Sequence, residues 1–341
     1  MKKFSIITPT YNSEKTLGMY FDSIIKQSYN LSKIEILIID GGSTDATCKI
    51  ANGYKSKIDV RIINNPDRVP EYAKTIGVNE SFGEYCVFQD SDEILVNIDS
   101  FKIREEIFNK YPNVKNTVCT VMKNPDGYSP WGEYTSLIGD PFSSFIYNFN
   151  ADSNLDRSKR KYKNYIETKD YCVFKVSNND LIPLIDACSH TFNKIYLKKV
   201  LGKNILNTKD SSMVSQSMIL NTHYFAVTKN DDILHYSSSS FIKIIKKIKA
   251  RIVRNVFRES DAGFMTKLET IPVFYKYKRY LFLLYAFLVL PALYDSIKFS
   301  IKTKNIYFIF HFIFTLYTAL GIVYYFIIKL FGISKKVETY G

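Results

Sequence analysis

Three short polar segments hold the residues whose types and spacing could do chemistry: Thr8-Pro9-Thr10-Tyr11-Asn12, Asp40-Gly41-Gly42-Ser43-Thr44-Asp45 and Asp90-Ser91-Asp92. Each follows an apolar run that reads as a buried strand. In an open α/β sheet, ligands bind in the crevice outside the carboxyl ends of the strands, so residues tens of positions apart can meet on one small molecule. Asp90 and Asp92, at i and i+2 beside a strand end, suit one hard divalent cation, Mg²⁺ or Mn²⁺, bridging phosphate oxygens. With Glu93 they form three neighbouring acids, which repel one another unless a cationic group neutralises them. The bland alternative is a solvated strand-to-loop turn. Together the segments describe a nucleotide-diphosphate site with a metal. The G-x-G-x-x-G fingerprint of dinucleotide sites is absent.

Asp40 ends an apolar strand, so its carboxylate is an acceptor for the imide N–H of a uracil or for ribose hydroxyls. Alternatively, Asp40 and Asp45 organise the turn and cap the next helix, the better reading for Asp45. Tyr11 offers a ring to a base, and Pro9 fixes the turn after the strand. Lys74 can reach a phosphate or base, or is a surface lysine. Pro9, Thr10, Tyr11, Asp40, Lys74, Asp90 and Ser91 are the candidate nucleotide contacts.

The elements that must position these residues alternate cleanly. Phe4–Thr8, Ile34–Ile39, Val60–Ile63 and Tyr85–Gln89 read as strands. Ser13–Gln27, a helix N-capped by Ser43 and running to about Tyr54, and Glu71–Asn79 after Pro70 separate them. Strands alternating with helices at this spacing mean βαβ units and a mostly parallel, Rossmann-like α/β sheet flanked by helices. Thr117–Met122 reads as a further strand. Asn124–Ser158, rich in Gly, Pro, Ser and Asn, reads as loop.

Composition changes after Tyr236. The 341-residue chain carries a net charge of +13, yet residues 241–341 hold 17 Lys/Arg against 5 Asp/Glu, and residues 1–240 hold 29 against 28. A basic excess beside long apolar runs favours an anionic membrane surface over nucleic acid. Phe241–Phe257 sets Phe241, Ile244, Ile245, Ile248, Ile252 and Val256 at helical spacing, with lysines and arginines between. That predicts a basic amphipathic helix in a membrane interface, over about 238–262. Ile306–Ile328 has 23 residues with no formal charge, long enough to cross about 30 Å of hydrocarbon. Tyr280–Tyr294, interrupted by Pro291, reads as a second span or as a re-entrant or interfacial segment. The expected organisation is a catalytic domain over 1–237, the amphipathic helix, one or two transmembrane helices within 276–330, and a cytosolic tail over 331–341. Cys48, Cys86, Cys119, Cys172 and Cys188 are odd in number and contain no C-x-x-C, which fits a reduced compartment rather than disulfides or zinc. No signal-peptide core follows Met1-Lys2-Lys3.

Ser5-Ile6-Ile7-Thr8-Pro9-Thr10-Tyr11-Asn12, Ile38-Ile39-Asp40-Gly41-Gly42-Ser43-Thr44-Asp45, Ala73-Lys74-Thr75-Ile76-Gly77 and Gly83-Glu84-Tyr85 ahead of Asp90-Ser91-Asp92 resemble the family 2 glycosyltransferases of GT-A fold. The resemblance covers about residues 4–95 and implies that Pro9, Tyr11 and Asp40 sit at the nucleotide while Asp92, with Asp90, holds Mg²⁺ or Mn²⁺. Lys74 stands where an arginine is usual in the family, and Gly41 where many members have a second Asp. His235, in Asp231-Asp232-Ile233-Leu234-His235-Tyr236, matches a family histidine near the end of the catalytic domain and would be a further metal or diphosphate ligand. The family's base precedes that histidine by about two dozen residues, which points to Asp210, with Glu167, Asp170 and Asp186 as fallbacks.

The resemblance implies an inverting, metal-dependent glycosyltransferase, and the basic, apolar tail points to the cytosolic face of a cell membrane and to a lipid-linked acceptor. It would move a sugar from a nucleotide-diphosphate sugar, a UDP-sugar above others, to a hydroxyl of a lipid-linked glycan in cell-surface polysaccharide or glycoconjugate assembly. The alternatives are a polyprenyl-phosphate sugar synthase, a sugar-1-phosphate nucleotidyltransferase and a non-catalytic membrane-anchored binding protein. A nucleotidyltransferase is expected to carry a glycine-rich loop after its first strand, and Thr8–Lys15 contains no glycine.

Overall fold

The computed structural model describes residues 3–185, 189–201, 214–237, 239–257 and 272–333. The chain divides into two units. One comprises Met1–Lys123 and Ser153–Tyr236, the other Asn124–Asp152 and Ser237–Gly341. Composition alone grouped 124–152 with the catalytic domain, whereas this stretch packs with the C-terminal helices.

The strands of the first unit are β1 (Phe4–Thr10), β2 (Ile34–Asp40), β3 (Asp59–Asn64), β4 (Tyr85–Phe88), β5 (Glu93–Leu95), β6 (Asn116–Val118), β7 (Met122–Lys123), β8 (Tyr165–Glu167), β9 (Tyr171–Lys175), β10 (His190–Asn193), β11 (Tyr224–Thr228) and β12 (Ile233–His235). Nine of them form one sheet in the order β3-β2-β1-β4-β10-β6-β11-β9-β8, and β5-β12-β7 form a second. From β3 to β4 the pairing is parallel. Beyond β4 it is antiparallel except between β6 and β11. The parallel half carries the candidate site. Every residue of β2 is buried, the consequence of a strand covered on both faces.

Helices α1 (Glu14–Ile25), α2 (Thr47–Gly53), α3 (Pro70–Glu80) and α4 (Ser100–Lys110) flank this half. Phe4, Ile6 and Ile36 pack with Leu17 and Phe21 of α1 and Phe101 of α4. On the opposite face, Ile7, Leu37 and Ile39 pack with Ala73 and Val78 of α3. The α3 backbone comes so close to β1 that a Cβ on Gly77 would lie 2.2 Å from Ile7 Cγ2. Ser43 does not cap α2. The helix starts at Thr47, whose amide donates to Asp45 Oδ1 at 2.9 Å. Thr117–Met122 is two short strands in different sheets, β6 and β7, rather than one.

The second unit is helical. Asn124–Asp152, expected as loop, contains helices Pro130–Leu137 and Pro141–Tyr147, and the first unit resumes with a third, Asn154–Lys161. The turn-forming residues sit at helix ends. Pro130 and Pro141 open their helices, and Asp140 and Ser153 accept from the amides of Ser143 and Asp156. The basic helix Phe241–Phe257 forms, but protein covers its apolar stripe. Ile244, Ile248, Ile252 and Val256 are buried with Phe308, Phe314 and Tyr325. That face is therefore not free to lie in a membrane interface as the pattern predicted. Ile306–Leu330, a 3-10 turn leading into helix His311–Leu330, contains an 18-residue stretch of mean hydropathy 2.0 and is long and apolar enough to cross a membrane by length and composition. Tyr280–Tyr294 falls across two helices, Val273–Phe287 and Leu290–Thr303, bent by 87°.

Candidate active site

The site begins at the carboxyl edge of the parallel strands. Register places Thr10 beside Asp40, and Asp40 beside Asn64, so three strand ends finish level. The β1–α1 and β2–α2 turns then join through side chains. Asn12, at φ 50°, takes the Thr44 amide on its Oδ1 at 2.9 Å, and its own amide donates to Ser43 Oγ at 2.9 Å. The Glu14 amide donates to Asp45 Oδ2 at 3.1 Å. Burial opposes charge on Asp45, but hydrogen bonds from Thr47 and the Glu14 amide outweigh it and hold the carboxyl below its ordinary pKa. Asp45 thus serves the turn and the helix start.

Asp40 also serves the turn. Its carboxylate is buried and accepts from Thr10 Oγ1 at 3.0 Å, Ser43 Oγ at 2.5 Å, the Gly42 amide at 3.0 Å and the Ser43 amide at 2.8 Å. An ionised carboxylate has about four acceptor positions, and all are used. A base or ribose donor at Asp40 would have to displace one of these partners. Pro9 pairs in register with Ile39, Thr10 Oγ1 is held by Asp40, and the Tyr11 ring is 46% exposed at the rim.

The Asp90-Ser91-Asp92 turn links β4 to β5. Glu93 does not join an exposed acid cluster. Its side chain is buried, and its Oε2 accepts the Asp90 amide at 3.2 Å. Ser91 is buried and donates to Ser13 Oγ at 2.9 Å, which ties the turn to α1. Asp90 is 51% exposed at its side chain and faces Lys74 Nζ at 4.0 Å, while Lys74 also lies over the Phe88 ring. β12 pairs antiparallel with β5, His235 opposite Glu93, and this brings His235 Nε2 to 3.5 Å from Asp92 Oδ2. The Tyr236 amide closes on the Asp92 carbonyl at 2.8 Å.

A buried pair holds the segment before β12. Arg104 Nη2 lies 3.1 Å from Asp231 Oδ2, and Arg104 Nη1 donates to Ser189 and Thr191. The Thr228 hydroxyl and the hydroxyl of Ser100 also donate to Asp231.

Asp92 and His235 are therefore brought together, and Asp90 is turned toward Lys74. Among the described residues, no three His, Cys, Asp or Glu side chains converge closely enough to hold an ion alone. One carboxylate oxygen beside one imidazole nitrogen fits a small hard cation that keeps waters and takes the rest of its shell from a diphosphate. Asp210 and Asp186 lie outside the described residues. Glu167 accepts from Lys159 Nζ at 2.7 Å and from Lys229 Nζ at 2.9 Å, which hold its carboxyl down at about 2. Two residues near the site carried no motif. Arg68, exposed at φ 54°, sets its guanidinium beside Gly42, 3.4 Å from where a Cβ would stand. Its only signal in sequence is a cation between Pro66 and Pro70 after a strand. His190 pairs with Phe88 in register, is fully buried and has neither ring nitrogen hydrogen-bonded among the described residues.

The molecule is similar in fold to the solved structure of a mannosyltransferase from Pyrobaculum calidifontis in complex with GDP-Man and Mn²⁺, with a TM-score of 0.59 and 13% identity over 94% of this chain and 87% of that one. It is also similar to residues 1–349 of TarS from Staphylococcus aureus, with a TM-score of 0.53 and 15% identity over 97% and 92%. The fold is that of the GT-A glycosyltransferases. Residues 5–97 match the family model "Glycosyl transferase family 2", and this part of the chain is a family 2 glycosyltransferase domain. In sequence it is 32% identical over 97 residues to the poly(ribitol-phosphate) beta-N-acetylglucosaminyltransferase TarS of S. aureus. It is 37% identical over 99 residues to an uncharacterized glycosyltransferase of Haemophilus influenzae. Each match spans 28% of this chain, but only 17% of TarS and 39% of the Haemophilus protein.

Proposed function

We propose that this chain is an inverting, metal-dependent glycosyltransferase that moves a sugar from a UDP-sugar to a hydroxyl of a lipid-linked glycan at the cytoplasmic face of a membrane. The observation that carries this reading is the folding of His235 onto Asp92 beside three level strand ends. UDP as the donor nucleotide is supported by the solved complexes of TarS with UDP and with UDP-GlcNAc. A glycan or polyol acceptor is supported by the names of two relatives, TarS and a poly(ribitol-phosphate) beta-glucosyltransferase of Bacillus spizizenii.

In this reading Tyr11 receives the base, with Pro9 and Thr10 shaping the wall behind it. Lys74 and Ser91 face the diphosphate. Asp92, His235 and Asp90 would hold Mg²⁺ or Mn²⁺, which supplies positive charge to the diphosphate when bound. Asp210 is the proposed base. It takes the proton of the acceptor hydroxyl as that oxygen bonds to the anomeric carbon, and the sugar–diphosphate bond breaks with its electron pair leaving on the nucleotide. Attack opposite the leaving group inverts the anomeric configuration.

A panel of UDP-sugars with detergent-solubilised full-length protein tests the reading through release of UDP on addition of lipid-linked glycan. Asp92→Ala is expected to lower turnover by two or more orders of magnitude, roughly the loss of one preorganised electrostatic contact in the transition state. Excess EDTA should do the same. Full activity under both conditions would remove the metal from the reading.

A further inference from the structure

We infer that the second unit is an in-plane anchor seated in one leaflet of a membrane, and that Ile306–Leu330 does not cross the bilayer. This deepens the membrane part of the proposal above and is independent of the transfer chemistry. Helices Phe241–Phe257 and His311–Leu330 run side by side in the same direction. Phe241 stacks against Phe314 with centroids 5.2 Å apart, and Ile252 meets Gly321. Phe257 lies 6.0 Å from Tyr325, and Lys329 Nζ donates to the Val256 carbonyl at 2.6 Å. Between the first and last of these contacts lie Lys243, Lys246, Lys247, Lys249, Arg251 and Arg254. Were His311–Leu330 to cross the membrane, this helix would be carried through the hydrocarbon with it, its exposed Lys243, Lys246 and Lys249 turned to lipid. Charges at that depth are strongly unfavourable.

The apolar surface that remains uncovered has the form of an anchor. On helix Leu290–Thr303, Ala292, Ser296 and Phe299 face inward, while Leu290, Tyr294, Ile297 and Ile301 form an exposed stripe at helical spacing, with Leu290 and Ile301 each 74% exposed. The preceding helix exposes Tyr277, Leu281 and Leu284 at the same spacing. The two helices, 15 and 14 residues long and bent by 87°, rise only about 22 Å each at 1.5 Å per residue, too short to span about 30 Å of hydrocarbon. Lys276, Arg279, Lys298 and Lys304 accompany the stripes, while Lys302 is paired with Asp152 and Lys278 donates to the Ile146 carbonyl; Asp295 is the one acid among the described residues from 272 on. An apolar face rimmed by cations complements the hydrocarbon and anionic headgroups of a single leaflet.

Cysteine accessibility decides the matter in full-length protein carrying Cys48→Ser and Cys188→Ser, since the remaining described cysteines are buried. Lys304→Cys or Ile306→Cys marks the start of the apolar segment, and Ile333→Cys marks its end. A membrane-impermeant maleimide is applied to inside-out and right-side-out vesicles from expressing cells. Both marks should label to the same extent in the inside-out vesicles only, with the protein resisting a high-salt wash. Labelling of the two ends from opposite faces would overturn the inference. So would full release by salt, or recovery of the protein as a soluble dimer without membranes, in which a second copy covers the stripes.

Discussion

Asp40 shows how a candidate site residue can be committed to the fold itself. Four donors converge on its carboxylate, so its removal strands two backbone amides and two hydroxyls in a partly buried turn. Asp40→Ala should therefore destabilise the protein by about 1–2 kcal/mol, mostly through the buried Thr10 hydroxyl left without its acceptor. Thermal unfolding without nucleotide measures this, and an unchanged midpoint would return Asp40 to a purely ligand-binding role. His190 gives a pH signature. Burial, with Lys74 and Arg104 nearby, pushes its pKa down from 6.5 to about 3. The unfolded chain then binds a proton between those values that the folded chain does not, so stability falls as pH drops from about 6.5 toward 3. His190→Phe should flatten the loss of melting temperature between pH 7 and 4.5.

At the scale of elements, close approach decides more than side-chain chemistry. α3 lies directly on β1 because Gly77 has no Cβ. Gly77→Ala should cost about 1–3 kcal/mol by overpacking and should weaken donor binding by shifting the helix that carries Lys74. Combination with Ile7→Ala should recover part of the stability. The first half of the sheet was legible because strands buried on both faces read as apolar runs, with Asp40 and Asp90 as abrupt polar ends. Much of the antiparallel half was not, since β6, β8 and β10 are only three or four residues long, too short for a period to show, and the same holds for β7 and β12 of the second sheet. The helices within 124–152 were hidden because their Pro, Asp and Ser residues, which open and cap helices, also compose loops. The meeting of His235 with Asp92 was legible only as resemblance, because pairing of β5 with β12 leaves no local trace.

For the whole molecule, the second unit's claim on Asn124–Asp152 changes what can be cut. Tyr134, Ile138 and Ala151 are buried with Ile244, Ile252 and Phe314. A chain ending at Tyr236 keeps Asp40, Asp90, Asp92 and His235 but strips the cover from those side chains, and it should aggregate. The same truncation with residues 124–152 replaced by a short Gly/Ser linker should be soluble and monomeric. The ends to be joined are close, since the Asn154 amide donates to the Thr120 carbonyl at 3.0 Å. Size-exclusion chromatography and a UDP thermal shift compare the two. A soluble simple truncation would show that 124–152 is stable without the C-terminal helices.

The strand order β5-β12-β7 also sets a schedule on the ribosome. β5 and β7 emerge early but do not pair with each other; each pairs with β12, which arrives more than a hundred residues later. Until then both edges stay unsatisfied and Asp92 lacks its imidazole neighbour. The segment that matches the family model, residues 5–97, is thus synthesised long before it can be complete. A nascent chain of this protein gains its assembled candidate site only when translation has passed Tyr236 and that strand has left the exit tunnel.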